Sequence, residues 1–292
     1  MSPAGVFPAA LTMFDASGDL DLDATAEHLA FLIGAGAHGL VVGGTSGEFV
    51  ALSSAERRAL LETALDVAAG RVPVLAGTGA YGTAETIALT RHAERAGASA
   101  ALVVLPYFQR PSPPEVLAHY RAVAAASDLP VWVYNIPANA AVAEVSTAEL
   151  AQLYAEGVAA GVKSTLPTLD QVIELAALPG FRAFYGGFRT PVEALAGGAH
   201  GWISGLLNVV PSQAAGVWNA VRAGEPALAG QRWEALLPLR RLVVDPPWRG
   251  AGDLALYRGV LRVHGRPAGF CRPPLRDLDP AELALLEKAL TP

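Results

Sequence analysis

Short, predominantly apolar runs alternate along this chain with longer stretches in which apolar residues return every three or four positions. The short runs fall at 6–12 (VFPAALT), 39–43 (GLVVG), 72–76 (VPVLA), 100–105 (AALVVL), 131–135 (VWVYN), 158–163 (VAAGVK), 181–185 (FRAFY) and 201–205 (GWISG). A strand with one wet face alternates apolar and polar residues. Runs that are apolar throughout fit strands covered on both faces, as in parallel sheets. Between the runs the spacing predicts helices. Residues 21–36 carry Leu22, Leu29, Leu32 and Ile33 at helical intervals, and Ser53, Ser54 and Glu56 supply capping signals ahead of Leu60, Leu61 and Leu65. Further helices are predicted near 84–96, 113–127, 146–156, 168–178, 190–197 and 211–223. Eight strands spaced roughly 25 to 33 residues apart, each followed by a helix, are the arithmetic of the α/β class (β/α)8 TIM barrel, for which ~250 residues is usual. A doubly wound open sheet is the competing architecture, disfavoured because no Gly-x-Gly-x-x-Gly follows the first strand.

The pattern divides the chain into a barrel at 1–223 and a C-terminal appendage at 224–292. One appendage helix is predicted around Trp233, Leu236, Leu237, Leu239 and Leu242, a second over 251–263 and a third over 280–290. Pro and Gly clusters at 245–252 and 265–274 separate them, and all three are expected to pack on the barrel.

Composition narrows the function. Of 292 residues, 52% are apolar and 16% charged, enough to bury a large core. The net charge of −6 and the scattered basic residues exclude a nucleic-acid footprint. No apolar stretch reaches the ~18 residues of a membrane helix, and the N-terminal segment lacks the pattern of a signal peptide. A soluble cytoplasmic protein is therefore expected. A single cysteine, Cys271, rules out an intramolecular disulfide and a cysteine-based zinc site. Among the histidines, His28, His92 and His119 fall in predicted helices. His38 and His200 precede strands 2 and 8, and His264 is in the appendage. No metal site is expected from them.

Of the 21 basic residues only two are lysines, Lys163 and Lys288. Lys163 ends the apolar run VAAGVK, and a lysine kept there points to chemistry that the permanently charged arginine cannot do. Barrel active sites lie at the C-terminal ends of the strands. Those positions hold Gly43-Gly44-Thr45-Ser46-Gly47-Glu48, Pro106-Tyr107, Tyr134-Asn135-Ile136-Pro137, Lys163-Ser164-Thr165, Gly186-Gly187-Phe188-Arg189 and Ser204-Gly205. Tyr134 and Lys163 are one strand–helix unit apart, so they are expected on neighbouring strands, ~4.8 Å from each other. An amine beside a phenol is a Schiff-base pair: the amine attacks a carbonyl and the phenol shuttles protons. The glycine-rich turn can offer backbone N–H groups to a carboxylate, with the Thr45 and Ser46 hydroxyls beside them. Each residue alone also has a structural reading. Tyr134 would be a barrel-filling aromatic, Tyr107 a loop residue, and Arg189 a solvated charge at a helix start. The functional reading rests on all of them meeting at one end of the barrel.

From about residue 6 to 215 the chain resembles the dihydrodipicolinate synthase/N-acetylneuraminate lyase superfamily of class I aldolases and dehydratases. Gly44-Thr45-Ser46-Gly47-Glu48, Leu52-Ser53 with Glu56-Arg57, Pro106-Tyr107, Tyr134-Asn135-Ile136-Pro137 and Gly161-Val162-Lys163 carry the resemblance. It implies that Lys163 forms the Schiff base with pyruvate or another small 2-oxo acid, that Tyr134 shuttles protons, and that Gly44, Thr45 and Ser46 bind the carboxylate. It further implies that Tyr107 completes a Thr–Tyr–Tyr relay across a dimer interface, and that the protein is a homotetramer, a dimer of dimers. No cofactor is implied, because the imine itself is the electron sink. Two positions depart from the pattern. Asn139 stands where the synthase branch has a substrate-binding arginine. Phe188-Arg189 stands where the lyase branch has acidic residues, so Arg189 is expected to hold a distal carboxylate; Ser204 is a further candidate at the mouth. The resulting expectation is a metal-independent lyase acting on pyruvate or a deoxy 2-oxo acid by aldol chemistry or dehydration. Its alternatives are 4-hydroxy-tetrahydrodipicolinate synthase and a non-catalytic sugar-acid-binding barrel.

Overall fold

The computed structural model describes residues 3–290. Eight parallel strands form one sheet, β1 (Gly5–Pro8), β2 (Leu40–Val42), β3 (Val74–Gly77), β4 (Ala100–Val104), β5 (Val131–Asn135), β6 (Gly161–Ser164), β7 (Arg182–Tyr185) and β8 (Gly201–Ser204), in the order β1-β8-β7-β6-β5-β4-β3-β2. A parallel bridge between Ala9 and Val41, with the Ala10 N–H donating to Val41 O at 2.8 Å, joins the two ends into a ring. The predicted eight-stranded barrel is the fold.

Side-chain alternation sorts each strand into two environments. Phe7, Val41, Leu75, Leu102, Trp132, Tyr134, Phe184 and Ile203 point inward and fill the lumen as one cluster. Their neighbours, among them Val6, Val133, Val162 and Trp202, pack outward against the helices. This two-sided burial is why the strands read as continuous apolar runs. Large lumen residues need small neighbours: a Cβ at Gly161 would sit 2.8 Å from the Trp132 ring.

Helices α1 (Leu22–Gly34), α2 (Ser54–Ala68), α3 (Thr83–Ala96) and α4 (Pro113–Ala124) follow the first four strands. A short turn of helix, α5 (Pro137–Ala140), precedes α6 (Thr147–Ala155), and α7 (Asp170–Ala176), α8 (Pro191–Ala196) and α9 (Pro211–Arg222) follow the rest. Ser53, Ser112 and Ser146 open α2, α4 and α6 with reciprocal capping boxes to Glu56, Glu115 and Glu149.

Beyond the barrel lie α10 (Pro226–Glu234), α11 (Leu237–Val244), α12 (Asp253–Val263) and α13 (Pro280–Leu290). The single helix expected around 233–242 is two. Pro238 has no N–H to donate and is accommodated in the first turn of a new helix, so α11 starts afresh at Leu237. Among the described residues no helix is long and apolar enough to cross a membrane.

Candidate active site

Strand parity builds the site. Tyr134 on β5 and Lys163 on β6 are Cα partners in the ladder, so both turn into the lumen near the strands' C-terminal ends. Lys163 is 5% exposed, and its Nζ lies 3.9 Å from the centroid of the Tyr134 ring. Among the described residues no carboxylate lies within ion-pair distance of that amine. The Tyr134 hydroxyl is 3.3 Å from Thr45 Oγ1. Room for the lysine stem comes from Gly186 after β7. A Cβ there would stand 2.8 Å from Ser164 O and 3.1 Å from Lys163 Cε.

A buried amide network fixes the chain after Tyr134. Asn135 Nδ2 donates to Val145 O at 2.8 Å and to Gln171 Oε1 at 2.9 Å, while its Oδ1 accepts from the Val145 N–H. Ser164, beside Lys163, donates from its hydroxyl to the same Gln171 oxygen. Segment 136–145 is thereby tied to the ends of β5 and β6, and every member of the network is satisfied.

The turn after β2 is a 3₁₀ helix over Thr45–Gly47, with Gly44 as its N-cap. The N–H groups that open such a turn have no carbonyl one turn back to donate to, which leaves them available to an anion. Ser46 is buried against Gly205, where an added methyl would overlap its hydroxyl. The turn ends at Glu48, in the left-handed region at φ 54. Its buried carboxylate accepts from Arg258 Nη2 of α12 at 2.6 Å and from the Arg272 backbone N–H at 2.9 Å. The Thr45–Gly47 turn is therefore tied to the appendage.

Beside Thr45 opens a cavity of about 220 Å³, walled by Phe49, Val50, Val104, Ile136 and Ala140, with Tyr107 and Asn139 at its polar points. Tyr107 is half-buried, edge-on to Phe49 at 5.9 Å. Burial pushes its phenol up, and the nearby Arg57 guanidinium pulls the other way. Arg57 itself is committed to the backbone, donating to Gly77 O at 2.7 Å and to Gly79 O at 2.9 Å.

Of the residues expected at the site, Lys163, Tyr134 and Thr45 are together, Gly44 and Ser46 form the adjoining turn, and Tyr107 and Asn139 line the cavity. Two are not brought in. Ser204 follows inward-facing Ile203 and so falls on the outer face of β8, where its hydroxyl accepts from the Leu206 N–H. Arg189 is exposed. The Tyr185 hydroxyl accepts from its backbone N–H, and its guanidinium sits 5.8 Å from the Phe188 ring, outside the cavity. His38 and His200 cap the opposite end, next to the backbone of Val6 and Ala183. Sequence reasoning gave no role to Gln171 or Arg258. For Arg258 the signal was an arginine amid the apolar positions Ala255, Leu256, Val260 and Leu261.

The model of the dihydrodipicolinate synthetase family matches residues 2–292. A 4-hydroxy-tetrahydrodipicolinate synthase of Rhizobium meliloti is 36% identical over 290 residues, covering 98% of this chain and 97% of that protein. An uncharacterized DapA-like lyase of Halobacterium salinarum is 35% identical over 289 residues, covering 98% and 92%. Among solved structures, the prophage protein YagE from E. coli K12, in complex with pyruvate, superposes with a TM-score of 0.89 at 31% identity, covering 98% of this chain and 97% of its own. With matches that run the length of the chain and a lysine–tyrosine pair at the barrel mouth, this protein belongs to the dihydrodipicolinate synthetase family.

Proposed function

We propose that the protein is a metal-independent class I lyase that holds pyruvate, or a deoxy 2-oxo acid, as a Schiff base on Lys163. The observation that carries the reading is the buried Lys163 amine lying against Tyr134, whose hydroxyl meets Thr45. Lys163 Nζ attacks the C2 carbonyl. The carbinolamine oxygen leaves as water with a proton from the Tyr134 phenol, and Thr45 and Tyr107 carry protons onward. The substrate carboxylate sits on the 44–46 turn, supported by its free N–H groups and two hydroxyls. Loss of a C3 proton from the imine gives an enamine. Its carbon attacks an electrophile, or the reverse step cleaves a carbon–carbon bond, and water then frees the product from the lysine. The reading also takes residues 1–223 and 224–292 as barrel and appendage of one unit, and the protein as a cytoplasmic homotetramer in which Tyr107 reaches across a dimer interface. Sedimentation of wild type and Tyr107→Ala tests that assembly.

A proton NMR assay in deuterium oxide tests the chemistry. Wild type should wash the methyl protons of pyruvate out far faster than buffer, and Lys163→Ala should not. Equal rates in both would contradict the reading. The relatives named as synthases support 4-hydroxy-tetrahydrodipicolinate synthase as the second reading. Asn139 weighs against it, because the cation expected there is missing. Condensation of pyruvate with aspartate semialdehyde separates the two readings.

A further inference from the structure

The cavity beside Thr45 is large enough for a second reactant, and its chemistry is specific. Its walls are Phe49, Val50, Val104, Ile136 and Ala140, and its polar groups are the uncharged Thr45, Tyr107 and Asn139. Among the described residues no charged side chain lines it. The nearest guanidinium, Arg57, lies over the Phe49 ring at 5.3 Å and gives its Nη2 to the carbonyls of Gly77 and Gly79, while Arg189 and Arg110 are exposed outside the cavity. A carboxylate or phosphate seated against these walls would meet no charged hydrogen-bond donor among the described lining residues. An apolar group would lose only unfavourable hydration. Cavities of ~150 Å³ lined by aliphatic and aromatic side chains hold benzene, so 220 Å³ admits a ring or a branched chain of similar bulk.

From this lining we infer that the reactant joined to, or released from, the pyruvate unit is an uncharged, apolar aldehyde, aryl or branched alkyl. The inference rests on the Schiff-base reading and specifies the acceptor of that same site. The pyruvate enamine on Lys163 gives its C3 electron pair to the aldehyde carbon, and a carbon–carbon bond forms. The aldehyde oxygen takes up one proton and becomes a hydroxyl. One water, equal to the one lost on imine formation, hydrolyses the adduct to a 4-hydroxy-2-oxo acid. The sum is pyruvate plus aldehyde, with no oxidant or second cofactor. The aldehyde oxygen lies toward Thr45, the lining residue whose hydroxyl is 3.3 Å from that of Tyr134. Its apolar group fills the space against Ile136 and Val104. Asn139, exposed on the short helix α5, is the specificity-determining position.

The test uses the wild-type enzyme with pyruvate and three aldehydes: benzaldehyde, succinic semialdehyde and glyceraldehyde. Product formation is followed by liquid chromatography and mass spectrometry, and deuterium wash-out from pyruvate is measured on the same preparation. Benzaldehyde should exceed the other two in kcat/KM by at least the roughly tenfold that one mismatched group costs in an apolar pocket. Asn139→Arg should narrow or invert the ratio against succinic semialdehyde. Wash-out with a preference for succinic semialdehyde or glyceraldehyde, or with no benzaldehyde product, overturns this inference and spares the Schiff base. Absence of wash-out overturns both.

Discussion

Removing the Arg258 guanidinium probes how the appendage supports the site. Arg258 is fully buried on α12 and donates to Glu48 Oε1 at 2.6 Å, to Thr12 O at 2.8 Å and to Ala268 O at 2.6 Å. Glu48 is equally shielded, with a side-chain exposure of 2%, and ends the turn that carries Thr45 and Ser46. Arg258→Met leaves that carboxylate buried with one remaining donor, the Arg272 N–H. Breaking a buried pair from one side costs about 3–5 kcal/mol. An unfolding entropy of about 2.1 cal/mol/K per residue gives roughly 0.6 kcal/mol/K for a chain of this length, so the midpoint should drop by about 5–8 °C. Differential scanning calorimetry at fixed protein concentration reads this directly. Because the turn loses its anchor, the variant's KM for pyruvate should also rise. The double variant Arg258→Met/Glu48→Gln removes the stranded charge and should recover at least half of the lost stability. A loss below about 1 kcal/mol, the value of an exposed pair, would refute the argument. So would a double variant as unstable as the sum of the two single ones.

Two further outcomes follow from the same geometry. Tyr134→Phe keeps the ring against Lys163 but removes the proton shuttle, so steady-state kinetics should show kcat reduced by about 10²–10⁴-fold with KM little changed; an unchanged kcat would remove Tyr134 from the chemistry. His28 and His119 are both buried, and burial lowers each imidazole to about 4 from an unfolded value of 6.5. Between those values the unfolded chain binds protons that the folded one does not, so stability falls as pH drops through that window. The loss is about 2 kcal/mol per histidine between pH 7 and 5. In urea titrations, His28→Gln should flatten the slope by one proton, and an unchanged slope would contradict its neutral, buried state.

Much of this architecture was legible because the barrel buries its strands on both sides. Runs such as VWVYN and FRAFY fit covered strands, and their spacing left room for one helix each. Boundaries were less legible where burial continues without a ladder. Residues 9–12 extend the first apolar run, yet their donors turn to other partners, as when the Leu11 N–H reaches Asn208 Oδ1. The run 158–163 begins with residues that close off α6 from outside it, Val158 donating its N–H to Leu153 O, so β6 starts only at Gly161. At the site, Lys163 stood out by scarcity and Tyr134 by register. For Arg189 and Ser204, position near a strand end does not fix which way a side chain points: parity turns Ser204 outward, and the Tyr185 hydroxyl holds the backbone of Arg189 at the rim. The Glu48–Arg258 pair spans 210 residues and has no local pattern in either partner.

The Schiff base on Lys163 is the central claim, and reductive trapping tests it most directly. Wild type and Lys163→Ala are each incubated with pyruvate and borohydride, then weighed intact and mapped by peptide. A reduced pyruvyl adduct should appear on wild type alone, on the peptide that contains Lys163. An adduct on Lys288, or equal labelling of both proteins, would contradict the account.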